Sequence, residues 1–306
     1  MACISTLLSL IMSHTSVFRL GLSIIINSVI VIFELGAGFL TGSLSLLSDA
    51  IHNLADVASL VLSFWSERLK TRKPTGRKTY GFKRAEVLTA FVNALILVLV
   101  TVLIGKEAIL RLFHPSVLSG ETIGIVATVA LIGNSAAALL LRRHAHDNLN
   151  LRGAWLHTLQ DALFSLVVIA AAFLMRWLHW YALDPILSLL LSVFILCEAY
   201  RLLREAVHIL MESVPFDINV GDVRTAIQAL PSVQSLHDLH VWQTDSESRF
   251  LSIHVVTNAI DDCSRKRLLG AIQKLMAEHF KIGHTTIQMV GPETENDDPL
   301  TCEHCN

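Results

Sequence analysis

Windows of about 20 mostly apolar residues recur along this chain, and each is long enough to cross a hydrocarbon core of about 30 Å as a helix. Six are present, at 18–40, 43–65, 86–109, 122–141, 154–175 and 183–203. They account for a composition in which 53% of the 306 residues are hydrophobic and only 16% charged, with a mean hydropathy of +0.55. A membrane protein is expected, not a soluble one.

The net charge of −2 carries little information, whereas the placement of the charges carries much. Between the second and third windows lies SERLKTRKPTGRKTYGFKR, and between the fourth and fifth lies RRHAHDNLNLRG; both are rich in Lys and Arg. The opposite connections are short or poor in positive charge, and Trp177, Trp180 and Tyr181 suit an interface. By the positive-inside rule the basic loops are cytoplasmic, and six spans then put both termini inside. Residues 1–17 contain no Lys or Arg before Arg19, so the positive start of a secretory signal is missing and a cytoplasmic leader is expected.

Two windows carry groups that apolar helices ordinarily avoid. His52 and Asp56 stand four residues apart in the second window, and His157 and Asp161 repeat that spacing in the fifth. On a helix of about 3.6 residues per turn each pair occupies one face, so two helices can bring two imidazoles and two carboxylates to a common centre. A lone intramembrane His or Asp is often satisfied by a neighbouring helix. A carboxylate within the bilayer costs about 2.5–3.5 kcal/mol on insertion scales, so the duplicated pair points to a functional site. Asp49 lies on the same face but is read as an orienting or pathway group, not a ligand. Glu34, Asn27, Asn93 and Asn134 are read as groups that join helices.

Beyond Arg204 hydrophobicity falls, and Pro215 marks a boundary into a water-soluble segment. The pattern predicts a helix at 220–230, strands at 235–244 and 250–257, a helix at 264–280 and a strand at 285–290, giving the order αββαβ. Such a small domain gains from packing against a second copy of itself. Strand alternation places His237 and His240 on opposite faces unless a bulge intervenes.

Several ordered segments together resemble the cation diffusion facilitators, a family of metal exporters. GSLSLLSDAIHNLAD is similar to the family's second transmembrane helix, RKTYGFKRAEVLTAFVN to the entry of the third, and LNLRGAWLHTLQDALFSL to the fifth. DPILSLLLSV, LMESVP, HDLHVWQ and LSIHVVT extend the similarity through the sixth helix and the soluble segment. The resemblance implies an all-α six-helix transmembrane domain, a cytoplasmic α+β domain of metallochaperone-like αββαβ order, and a homodimer. It places the transport site on His52, Asp56, His157 and Asp161, the residues that spacing selects. The expected domains are a leader at 1–17, a transport domain at 18–213, a cytoplasmic domain at 214–291 and a tail at 292–306.

Two nitrogen and two oxygen donors suit tetrahedral Zn2+, whereas manganese and magnesium favour more oxygen. Imidazoles must be unprotonated to bind metal, so protons and metal compete, and zinc/proton antiport is expected. Cadmium, cobalt and nickel are alternative substrates. Zn2+ is both substrate and regulatory ion in this reading, because the resemblance also implies cytoplasmic ligands at His237 and His254, with His284 or His279 as helpers. In the tail TCEHCN, Cys302 and Cys305 form half a zinc site, which some relatives complete across a dimer. His144 and His146 resemble a shortened histidine-rich loop and are read as solvated.

An intramembrane metalloenzyme is a competing class, but four ligands close a zinc shell and no H-E-x-x-H is present. A metal-sensing receptor would bind zinc without moving it. The expected partners are a divalent metal ion, protons, the lipid bilayer and a second copy of the chain, with no nucleic acid; the expected location is a bacterial inner membrane.

Overall fold

The computed structural model describes residue 25 and residues 27–70, 72–142, 149–259 and 261–291. In chain order the helices α1 Asn27–Thr41, α2 Leu44–Lys70, α3 Ala85–Phe113, α4 Gly120–Arg142, α5 Leu149–Leu178 and α6 Leu183–Leu210 precede a smaller mixed region. That region runs α7 Val220–Gln228, β1 Val233–Gln243, β2 Arg249–Thr257, α8 Asp262–Phe280 and β3 His284–Val290. Among the described residues four helices are long and apolar enough to cross a membrane, and α1 is a shorter apolar helix. The sequence reading expects six spans. The start of the first expected window lies outside the described residues, and α2 carries Asp49, His52 and Asp56 through its middle.

The chain forms two compact units: α1, α4 and α5 with most of α2, α3 and α6 make one, and the ends of α2, α3 and α6 with everything from α7 onward make the other. In the first unit, small residues bring helices close. Ala127, Ala130, Ala137 and Ala138 lie on the buried face of α4, and a Cβ added at Gly120 would stand 2.7 Å from the Ala172 carbonyl oxygen of α5. Tight backbone approach of this kind is how helices associate when lipid removes the hydrophobic drive between them. Leu46, Ile123, Val168, Ala172 and Met175 fill the centre of this packing.

Gly42, at φ +71°, turns the chain between α1 and α2, a backbone region that a Cβ disfavours. The first amides of α2 would otherwise be orphaned in an apolar setting. Asp184, at the start of α6, takes them: its carboxylate accepts from the Leu44 amide at 2.8 Å and from the Ser43 hydroxyl at 2.6 Å. Farther along, Ser48 and Ser188 hydroxyls meet at 2.8 Å, the Asn53 amide donates to Glu34 at 3.1 Å, and Asn93 donates to Ser59 at 2.7 Å. Polar contacts thus tie α2 to α6, α1 and α3, the joining role expected of Glu34 and Asn93.

In the second unit the sheet has the order β1-β2-β3, antiparallel between β1 and β2 and parallel between β2 and β3. Leu251, Ile253 and Val255 of β2 alternate toward Val223 and Ile227 of α7 and Leu268, Ile272 and Met276 of α8. Burying side chains of this size contributes roughly 1.5–3 kcal/mol each. Asn219 caps α7 and Asp261 caps α8. The αββαβ order agrees with the sequence reading, with boundaries shifted by a few residues at most.

Candidate metal centre

Helices α2 and α5 bring the two His/Asp pairs to one place. The Nε2 of His157 lies 3.0 Å from Oδ2 of Asp56 and 3.9 Å from Oδ2 of Asp161. The Nε2 of His52 lies 3.9 Å from the same Asp56 oxygen, and the two imidazole centroids are 5.8 Å apart. Donor atoms of His52, His157 and Asp161 all fall within 4.8 Å of one another. Tetrahedral zinc bonds of about 2.0–2.2 Å require donors a little over 3 Å apart. The observed separations reach 4.8 Å, so the donors could hold a metal ion only after drawing together by about 1 Å.

The donors are also unsatisfied in a way that fits a cation. His52 Nε2 and both carboxylate oxygens of Asp161 are buried without a hydrogen-bond partner. Buried polar atoms ordinarily find partners, so these unpartnered atoms of His52 and Asp161 could serve as donors to an ion. Asp49 is buried beside this centre, with Glu34 and Asp161 as electrostatic neighbours. It is not among the donor atoms that converge there.

One carboxylate beside the centre was not singled out from the sequence. Glu198 of α6 places Oε2 3.9 Å from Nδ1 of His52. A carboxylate inside the apolar window 183–203 was the available signal.

In the second unit, His237 and His254 are register partners across β1 and β2, and His254 Nδ1 lies 3.5 Å from Asp238 Oδ2. The expectation that His237 and His240 face oppositely needs correction. A bulge sits between them, with Asp238 at φ 46°, so His237 pairs with His254 and His240 with Ser252, two residues apart on one face of β2. His284 does not join His254 either; it pairs with Phe250 and packs 5.2 Å from that ring. His279 lies on α8, which packs through Leu268, Ile272 and Met276 against the other face of the sheet. Cys302 and Cys305, and the loop histidines His144 and His146, lie outside the described residues.

Residues 20–211 match the family model described as the cation efflux transmembrane domain, and residues 215–290 match the one described as the cation efflux protein, cytoplasmic domain. The chain belongs to the cation efflux family. Among curated relatives in this family, the zinc transporter ZitB of Pectobacterium atrosepticum is 36% identical over 94% of this chain and 88% of its own length. ZitB of Escherichia coli K12 is 38% identical over 84% of this chain and 82% of its own. The cadmium, cobalt and zinc/H(+)-K(+) antiporter of Bacillus subtilis is 34% identical over 89% of this chain and 88% of its own. Family membership makes this chain an integral membrane transporter, not an enzyme.

Proposed function

We propose that this cation efflux protein exports zinc from the cytoplasm in exchange for protons, using His52, Asp56, His157 and Asp161 as the transport site. The observation that carries this reading is the convergence of two buried, unpartnered donor groups with two more from the same pair of helices. Two imidazoles and two carboxylates offer a tetrahedral N2O2 shell, which matches zinc and disfavours the harder, oxygen-seeking cations. The relatives named for zinc support the same substrate. A second reading, transport of cadmium or cobalt, is favoured by the relative named for all three metals, and the donor set accommodates those ions as well.

Coupling follows from the chemistry of the donors. A histidine that binds metal has given up its proton, so raising the proton concentration on one side displaces the ion there. The bilayer topology in this reading is six spans with both termini cytoplasmic, in a bacterial inner membrane, and the functional unit is a homodimer. The domains run 1–17, 18–213, 214–291 and 292–306. Side chains of His52 and Asp161 are 5% and 1% exposed, against 33% for Asp56 and 36% for His157. Asp56 and His157 are one turn nearer the Lys70 end of α2 and the Leu149 end of α5, both cytoplasmic in this topology. In this reading the more exposed pair faces the cytoplasmic side and takes up the metal there, and rocking of the helices about the centre re-exposes it outside. His237 and His254, with Cys302 and Cys305, are the regulatory zinc ligands of the cytoplasmic portion.

The test is zinc flux into sealed proteoliposomes under an imposed pH gradient, comparing the native chain with Asp56→Ala and Asp161→Ala. Flux that depends on the gradient and is lost in both variants is the expected result. Undiminished flux in both variants would reassign the site, and flux indifferent to the gradient would remove proton coupling. Zinc binding without native flux would leave a metal receptor.

A further inference from the structure

We infer that Glu198 is a positioning residue for the transported metal: its carboxylate, beside Nδ1 of His52, holds that imidazole with Nδ1 as donor and Nε2 as metal ligand. This rests on the transport-site reading and deepens it. The two ring nitrogens of His52 face different surroundings. Nε2 is buried, without a hydrogen-bond partner, and lies 3.9 Å from Asp56 on the metal side. Nδ1 lies 3.9 Å from Glu198 Oε2.

An imidazole ligates metal through a nitrogen that bears a lone pair, and it leaves the other nitrogen protonated. A carboxylate that accepts from that second N–H fixes the tautomer, orients the ring and raises the basicity of the ligating nitrogen. The present 3.9 Å gap is about 1 Å longer than a hydrogen bond, and such contacts commonly tighten only when the ligand arrives.

The ring has a second restraint from the same helix. Phe194, one turn before Glu198 on α6, meets the His52 ring edge to face at 6.2 Å, and Phe164 of α5 packs against Phe194 at 5.1 Å. Residues four apart share a helix face. Thus α6 presents an aromatic wall and a carboxylate to one imidazole while donating no ligand itself. A carboxylate within an apolar helix carries a standing cost, and Nδ1 of His52 is an ionisable neighbour of this one.

Zinc flux in proteoliposomes, analysed for KM and Vmax separately, tests the assignment in Glu198→Ala, Glu198→Gln and Glu198→Asp, with His52→Ala as reference. Removal of a carboxylate that orients a ligand lowers metal affinity roughly 10–100-fold, so Glu198→Ala should raise the zinc KM by that factor with Vmax retained. Glu198→Gln, which keeps the acceptor oxygen and the size but loses the charge, should give a smaller rise, and Glu198→Asp should restore part of the affinity. Each protein is checked for monodisperse elution in detergent, and the isosteric Glu198→Gln keeps the comparison valid if the alanine variant misfolds. A native KM in both Ala and Gln variants, or a fall in Vmax with KM unchanged, would overturn the inference. If His52→Ala also transports with native KM, the transport-site reading itself fails; if His52→Ala is inactive while the Glu198 variants are native, only the role of Glu198 is lost.

Discussion

Asp184 of α6 serves as the N-cap of α2, its carboxylate accepting from the Leu44 amide at 2.8 Å although 140 residues separate the two in sequence. The same carboxylate accepts from the Ser43 and Ser45 hydroxyls at 2.6 and 2.5 Å. It thus fixes one end of the helix that carries His52 and Asp56, and Ser48 with Ser188 fastens the next turn. Asp184 is fully buried, so removing it leaves several donors without partners. Asp184→Ala is expected to destabilise the protein by on the order of 3 kcal/mol, the scale of lost hydrogen bonds to a buried charge. Thermal unfolding in detergent measures this, and a midpoint equal to the native one would contradict the capping role.

Close packing of α4 on α5 gives a second expectation. The Cβ of an alanine at position 120 would meet the Ala172 carbonyl oxygen at 2.7 Å and the Arg176 amide nitrogen at 3.4 Å. Neither is a flexible side-chain end, so the helices must part. Gly120→Ala should cost about 1–3 kcal/mol, read as a lower unfolding midpoint. Gly270→Ala is the control, because nothing lies within 4 Å of a Cβ there.

In the smaller unit, Asp261 shows how pH acts on a helix cap. Its Oδ2 accepts from the Ser264 hydroxyl at 2.7 Å and its Oδ1 from the Ser264 amide at 2.9 Å. Those two bonds, the hydroxyl first, hold its carboxyl below the usual carboxylate range. A depressed folded value means that the stabilisation is present above the unfolded value of about 3.9 and is lost as pH falls through the folded one. The stability advantage of the native chain over Asp261→Ala should therefore be steady from neutral pH down to about 4 and shrink below it. Chemical denaturation at stepped pH checks this; an advantage that grows on acidification would contradict it.

Zinc bound outside the transport site is the subject of a fourth prediction. In protein carrying both Asp56→Ala and Asp161→Ala, the zinc that remains after equilibrium dialysis should fall further when His237→Ala and His254→Ala are added. Retention of the same zinc content would show that the two histidines are not ligands. Their register pairing across β1 and β2 predicts that both single variants behave alike.

The sequence alone determined the elements and the shared facing of each His/Asp pair, because both are local properties. An apolar run of about 20 residues specifies a spanning helix by length, and a four-residue spacing specifies one helix face. Hence the ranges of α3, α4 and the mixed region, and the placing of His52 with Asp56 and of His157 with Asp161 on one helix face each, were legible before any fold was known. What only tertiary structure decided are relations between distant segments. Asp184 reads as an ordinary helix-start residue until α6 is placed beside the start of α2. Glu198 gains meaning only from Nδ1 of His52, 146 residues earlier in the chain, turned toward it at 3.9 Å. The bulge at Asp238 escapes a period-two reading because one inserted residue reverses the facing of everything beyond it. Spacing along a chain fixes which side chains share a face, whereas packing fixes which faces meet.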